Sequence, residues 1–159
     1  NGVNYPKIRN WTGADWDSEI EMDNGGSPVQ WVRTEYSPTE ANLSLTVTLS
    51  TDGNLDSWFY DGSDWTFYSN IASVGTTADI YPSFDLAFET SSGDALLVYS
   101  TGICTLGTED ELGYLTWSST SETWSSSTTW ETSNNICLDL DMVYQVAMDS
   151  HPSSDEIVF

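Results

Sequence analysis

Three segments of this chain repeat one pattern, in which two aromatic strand ends surround a short polar turn. The segments are KIRNWTGADW at 7–16, LDSWFYDGSDWTF at 55–67 and GYLTWSSTSETW at 113–124. Apolar residues beside a turn of Gly, Asp, Ser or Thr are typical of a β-hairpin. Trp11, Trp58 and Trp117 align the three copies at spacings of roughly 50 residues, which predicts a chain built from repeated β units.

A second hairpin pattern alternates with the first. It reads WVRTEYSPTEANLSL at 31–45, FDLAFETSSGDALLVY at 84–99 and QVAMDSHPSSDEIVF at 145–159. The first and third copies align without a gap, so that Pro38 falls on Pro152. Each copy is a strand, a polar turn and a second strand with alternating apolar residues, which again predicts a hairpin.

Together the two hairpins define a unit of four short strands. The first unit spans about 29–67 and the second about 83–124, while the third covers 142–159 and is completed in pattern by 1–16. Units of this size with four strands are typical of β-propeller blades. The sequence therefore predicts a single all-β domain, a propeller-like repeat of about three four-stranded units split at the termini. An ordinary β-sandwich is the alternative.

The split unit bears on how such a chain would complete its sheets. About four to eight blades are needed to close a propeller, and half-units leave strand edges that can pair with another chain. We therefore expect either head-to-tail association of copies, as a closed ring or an open fibre, or one period of a longer array. Because the chain opens with Asn1, it is expected to be a mature, processed or excised segment.

The charge and composition exclude several classes of function. A net charge of −22 with only three Lys and Arg residues argues against nucleic acid as a partner and against docking on anionic membranes. No apolar run approaches the roughly 18 residues of a membrane-spanning helix. The only histidine, His151, lies in a predicted turn, and no Gly-x-Ser-x-Gly motif is present. We therefore expect no enzymatic activity.

The segment Asp52-Gly53-Asn54-Leu55-Asp56 is the candidate metal site, because it places oxygen ligands at alternate positions. That spacing resembles the opening of a calcium loop, although Ser57 stands where an EF-hand requires Gly. Calcium is the one cofactor that the sequence suggests, with Asp52, Asn54 and Asp56 as ligands. A plain Asp-Gly hairpin turn is the alternative reading.

Two further features concern covalent chemistry. Cys104 and Cys137 are too few for a metal site, and one disulfide in an oxidising compartment is favoured over two unpaired thiols. Asn10 and Asn42 each begin an Asn-x-Ser/Thr acceptor pattern for N-glycosylation. Both features are consistent with an extracellular or cell-surface location.

Two resemblances to known families rest on these motifs. FDLAFETSSGDALLVYS together with WFYDGSDW resembles uncharacterised tandem β-repeats of large prokaryotic surface proteins, which implies an extracellular structural or adhesive role without catalytic residues. SWFYDGSDW also resembles the hairpins of small fucose-binding propeller lectins, which implies a sugar site built from an Arg, an acid and a Trp. Arg9 or Arg33 with a nearby Glu and a Trp would form it here, and Trp58 with Arg33 is the candidate pair. The sequence thus predicts a non-enzymatic structural subunit that binds copies of itself in a surface assembly or filament, with a carbohydrate-binding lectin module as the alternative.

Overall fold

The computed structural model describes residues 5–75, 81–102, 111–129 and 143–159, whose regular elements are all β-strands. These strands form four separate antiparallel sheets, none of which closes on itself among the described residues. The all-β prediction is therefore confirmed. In chain order the strands are β1 (Lys7–Ile8), β2 (Ile20–Glu21), β3 (Val29–Tyr36), β4 (Ser44–Ser50), β5 (Asn54–Tyr60), β6 (Trp65–Ser73), β7 (Phe84–Phe88), β8 (Ala95–Ser100), β9 (Leu112–Ser118), β10 (Thr123–Trp124), β11 (Thr128–Thr129), β12 (Asp149–Ser150) and β13 (Ile157–Val158).

The first sheet is an antiparallel meander of β3, β4, β5 and β6. Its turns follow from local chemistry, since Gly53 and Gly62 take φ angles of 82° and 97° that side chains disfavour. In the β5–β6 turn, the Asp61 carboxylate accepts the N–H groups of Ser63 and Asp64 at 2.7 and 2.8 Å, which is an Asx-type turn. The predicted hairpins at 31–45 and 55–67 are thus both present in this sheet.

A bulge interrupts the pairing of β5 with β6. Between the pairs Leu55–Ala72 and Ser57–Tyr68, only Asp56 lies on β5, while three residues lie on β6. One of these, Asn70, has a φ of 52°, and its N–H donates to Asp56 Oδ1 at 2.7 Å. The Asp56 carboxylate therefore holds a strained turn of the neighbouring strand in place.

The second sheet has the order β10-β9-β8-β7, and β11 also pairs with β9. Its β7–β8 pair is the predicted hairpin at 84–99, and its β9–β10 pair is the predicted hairpin at 113–124. In the latter, Trp117 lies opposite Trp124, as Tyr60 lies opposite Trp65 in the first sheet. Tyr60, and not Trp58, therefore corresponds to Trp117. The alignment on Trp differs from this register because four residues separate Tyr60 from Trp65, whereas six separate Trp117 from Trp124.

Two-stranded ribbons flank the sheets. The first ribbon is β1 paired with β2, extended by an isolated bridge between Trp11 and Trp16. The last ribbon is β12 paired with β13, the predicted hairpin at 145–159. It is tied to the β7–β8 turn, because the Asp155 carboxylate accepts the N–H groups of Ser91 and Ser92 at 2.6 and 3.2 Å.

The main core lies between the two sheets. Alternate residues of both sheets point into it, as expected for two packed antiparallel sheets. The Phe59 and Trp117 rings meet there with centroids 4.9 Å apart. A smaller cluster of Val98, Leu112 and Val146 joins the other face of the second sheet to the segment before the last ribbon. The order of layers is first ribbon, first sheet, second sheet and last ribbon.

Candidate functional site

The candidate site is the space between the first ribbon and the face of the first sheet that points away from the second sheet, called here the outer face. Cross-strand partners in the sheet share a face, so the pairing of Thr34, Thr46, Trp58 and Phe67 in one row places all four there. Two open clefts, of about 630 and 550 Å³, and one smaller cavity of about 100 Å³ lie between ribbon and sheet.

Aromatic and polar side chains share the lining of the largest cleft. The Tyr60 and Trp65 rings stack there with centroids 4.8 Å apart. On the ribbon side, Trp11 packs edge-on against Trp16 at 5.5 Å, and both rings are more than half exposed. The complete lining consists of Ile8, Asn10, Trp11, Asp17, Thr34, Tyr36, Asn42, Ser44, Tyr60, Gly62 and Trp65. The sequence signal for this cleft is the first ribbon's own Trp pair, Trp11 and Trp16.

Trp58 and Arg33, the residues suggested by the lectin resemblance, lie on opposite faces of the first sheet. Trp58 is only 3% exposed and stacks on Phe67 with centroids 4.9 Å apart. Arg33 shares the other face with Val47 and Ser57, and its Nε lies 3.1 Å from the Asp85 carboxylate of the second sheet. The structure therefore does not bring these two residues together in one sugar site.

A charged cluster marks the place where β3, β7 and β12 come together. Besides contacting Arg33, the Asp85 carboxylate accepts the Met148 N–H at 2.8 Å. Burial raises the pKa of Glu35, as do the nearby carboxylates of Asp85 and Asp149, and Arg33 opposes this. An ion pair therefore joins β3 to β7, and a hydrogen bond joins β7 to the segment before β12.

The predicted calcium ligands are all engaged in hydrogen bonds within the protein. Asp52 accepts the hydroxyl groups of Ser50 and Ser27, the latter at 2.8 Å, and chiefly the Ser50 bond lowers the pKa of this carboxyl. Asn54 Oδ1 accepts the Ser73 hydroxyl at 2.9 Å.

The third predicted ligand differs from Asp52 in its surroundings. Burial raises the pKa of Asp56, which accepts the Asn70 N–H. Across the described ranges, no group of three or more His, Cys, Asp or Glu side chains is arranged to hold a metal ion. Calcium at Asp52, Asn54 and Asp56 stays a prediction.

The remaining predicted residues are placed as follows. Asn10 Nδ2 donates to Asp17 Oδ2 at 3.1 Å, so its amide is engaged at the edge of the largest cleft. Asn42 is exposed in the β3–β4 turn with a φ of 76°. His151 is exposed, as expected for a turn residue. Cys104 and Cys137 lie outside the described residues, and their disulfide remains a prediction.

Comparisons with known proteins give no relative from which a role could be taken. No family model, no curated protein and no solved structure matches this chain. Within the part of the chain that the structure describes, no helix is long and apolar enough to span a membrane.

Proposed function

We propose that this chain is a non-enzymatic structural module of an extracellular or cell-surface assembly, and that it associates head-to-tail by strand complementation. The observation that supports this proposal is that the two ribbons correspond to opposite halves of one four-stranded sheet. The Trp11–Trp16 pair of the first ribbon matches Tyr60–Trp65 and Trp117–Trp124, which belong to the last two strands of each sheet. The last ribbon matches β3–β4 and β7–β8, the first two strands.

The layered order of the units supports a propeller-like arrangement. The turns of the hairpins at 31–45, 84–99 and 145–159 stand side by side. Thr39 lies so close to Gly93 that a Cβ added at Gly93 would clash with the Thr39 hydroxyl. On the other side of the same turn, Thr90 Oγ1 donates to the His151 carbonyl at 2.6 Å. The units therefore stack in sequence order, which is how blades follow one another in a propeller.

Strand complementation would follow the pattern already present inside the chain. In both sheets the second strand of the first hairpin pairs with the first strand of the second hairpin, as β4 pairs with β5 and β8 with β9. The matching pair across two copies is β13 of one copy and β1 of the next. Edge strands with unpaired N–H and C=O groups favour such additions.

Sedimentation velocity and light scattering over a range of protein concentrations test this proposal. The native chain is expected to form species larger than a monomer, and Ile157→Pro is expected to prevent them. The His151 N–H donates to the Glu156 carbonyl, so in the alternating ladder the Ile157 N–H points to the open edge of β13, and proline removes it. Ile157→Val, which keeps the N–H and the β-branched shape, is the matched control. A native chain that stays monomeric at all concentrations would refute head-to-tail assembly.

A second candidate function is carbohydrate binding, favoured by the largest cleft between ribbon and sheet. Its exposed Trp11 and stacked Tyr60–Trp65 rings offer apolar faces to a sugar ring, while Asn10 and Asp17 offer polar groups to its hydroxyls. The charge of −22 favours a neutral glycan over an acidic one. Binding to a glycan array that is lost in Trp11→Ala and kept in Trp16→Ala would support this function, because Trp16 does not line the cleft.

A further inference from the structure

We infer that the exposed part of the outer face on β3, formed by Val32 and Tyr36, is the seat for the last ribbon of a second copy of this chain. This inference rests on the proposed head-to-tail association and specifies which surfaces meet. The two side chains are 52% and 68% exposed, although the two central strands of the same sheet, β4 and β5, are largely buried.

The second sheet provides an internal template for the covered state of this seat. Tyr36 and Phe88 each form the last pair before their hairpin turn, so that Val32 corresponds to Phe84 and Tyr36 to Phe88. Phe84 and Phe88 are 0% and 4% exposed, because the first sheet packs over them. The same position in the fold is thus covered in one sheet and open in the other.

The identity of the occupant follows from the order of the first strands. β7 is flanked on one side by β3 and on the other by β12. Among the described strands, the main contacts of β3 outside its own sheet are with β7, and the main contacts of β12 outside its ribbon are also with β7. The side of β12 that faces away from β7 therefore corresponds to the side of β7 that packs on β12, and the side of β3 that faces away from β7 corresponds to the side of β7 that packs on β3. If the layers keep their order, these two sides can meet only when they belong to different copies of the chain.

Charge favours the same pairing. Within the chain, Glu35 lies near Asp85, an interaction between like charges. By the same correspondence, Asp149 takes the place of Glu35 in the last ribbon, and Arg33 takes the place of Asp85 in the first sheet. Seating the ribbon of a second copy therefore sets Asp149 of that copy near the edge strand that carries Arg33, whose guanidinium also pairs with Asp85 of its own chain. The added contact is an attraction between opposite charges. In a chain with a net charge of −22, an attractive contact of this kind selects the partner surface.

The first experiment compares three variants with the native chain by sedimentation equilibrium. The seat variant carries Val32→Ser and Tyr36→Ser, the ribbon variant carries Asp149→Lys, and Tyr81→Ser is the control. Tyr81 is a matched control because it is a tyrosine 40% exposed outside the proposed interface. We expect the seat variant and the ribbon variant each to weaken self-association at least tenfold, and the control to leave it within twofold.

The second experiment mixes the two defective variants. In a head-to-tail interface the intact ribbon of the seat variant still fits the intact seat of the ribbon variant. The mixture is therefore expected to form a heterodimer that grows no further, while each variant alone stays monomeric at the same concentration. Equal denaturation midpoints for all proteins would establish that the exposed substitutions leave the fold intact.

The possible failures separate the two proposals. A native chain that never associates overturns both the proposed function and this inference. A native chain that associates equally well with the seat substitutions overturns only the inference, because assembly then uses another surface. A seat variant that loses binding to an added glycan while its self-association is unchanged would also overturn the inference, and it would assign the surface to a carbohydrate.

Discussion

The two sheets present corresponding faces to the layer before them, and these faces differ sharply in chemistry. The face of the second sheet packs against another four-stranded sheet and is almost wholly apolar. The corresponding outer face of the first sheet packs against a two-stranded ribbon and carries a row of Thr side chains. On the second sheet this face carries Phe84, Leu86, Phe88, Leu97, Tyr99, Leu115 and Trp117. On the first sheet the outer face carries Val32, Thr34, Tyr36, Thr46, Thr48, Trp58 and Tyr60.

This difference indicates that the two interfaces contribute unequally to the stability of the domain. Apolar area removed from water contributes about 25 cal/mol per Å², so the sheet-to-sheet interface should dominate stability. The ribbon-to-sheet interface instead contains clefts, and the buried Thr48 hydroxyl finds no partner in the described part of the chain. Such an interface costs little to open, which suits a surface that is completed by a partner.

The largest test of this comparison removes the same side chain from each interface. Trp117→Ala is expected to lower the free energy of unfolding by about 3–5 kcal/mol, as for other buried Trp side chains. Among the described residues, Trp117 contacts the rings of Phe59, Tyr68 and Trp124, whereas Trp58 contacts the ring of Phe67. Trp58→Ala is therefore expected to cost less than half as much. Urea denaturation measures both, and equal costs would contradict the comparison.

Much of this fold could be predicted from local signals, because hairpins depend on turn residues and alternation. The sequence could not predict that Trp58 and Arg33 lie on opposite faces, since that depends on the register of three strands. It also could not show that Tyr60, and not Trp58, is the equivalent of Trp117. Trp58 and Trp65 are seven positions apart, as are Trp117 and Trp124, but only the second two are paired across their hairpin.

A smaller effect is expected from the buried Thr row. Thr48→Val should raise the free energy of unfolding by about 1 kcal/mol, because it removes a hydroxyl that is buried without a hydrogen bond. Thr46→Val is the matched control, since the Thr46 hydroxyl lies 3.0 Å from that of Thr34. That control should lower the free energy of unfolding by a similar amount. Denaturation curves that shift in the same direction for both variants would contradict this assignment.

A smaller effect again concerns the charge at the bulge. Because burial raises the pKa of Asp56 above its usual value, the ionised carboxylate costs stability at neutral pH. The stability that protonated Asp56 contributes is fully present below the pKa of the unfolded chain and is lost as pH rises through the folded pKa. Asp56→Asn keeps an oxygen acceptor for the Asn70 N–H and should stabilise the protein at pH 7.

Thermal denaturation as a function of pH checks this expectation. The gain from Asp56→Asn should shrink as the pH falls through the folded pKa of Asp56 and disappear below the pKa of the same group in the unfolded chain. Asp52→Asn is the opposing control, because hydrogen bonds lower the pKa of Asp52 and its carboxylate contributes stability at pH 7. A gain from Asp56→Asn that persists unchanged at low pH would show that its charge is not the cause.

The smallest effect on global stability, and the most local one, is expected at the first ribbon. Trp11→Ala removes an exposed ring whose main aromatic partner is Trp16, so global unfolding should change by no more than about 0.5 kcal/mol. Amide hydrogen exchange at Ile8 and Ile20 should nevertheless become faster, because the ribbon can open while both sheets stay folded. Exchange at Leu97, in the core, should not change. If Ile8 and Leu97 were to accelerate together, the ribbon would be part of the same cooperative unit as the sheets, and the two interfaces would not be separable.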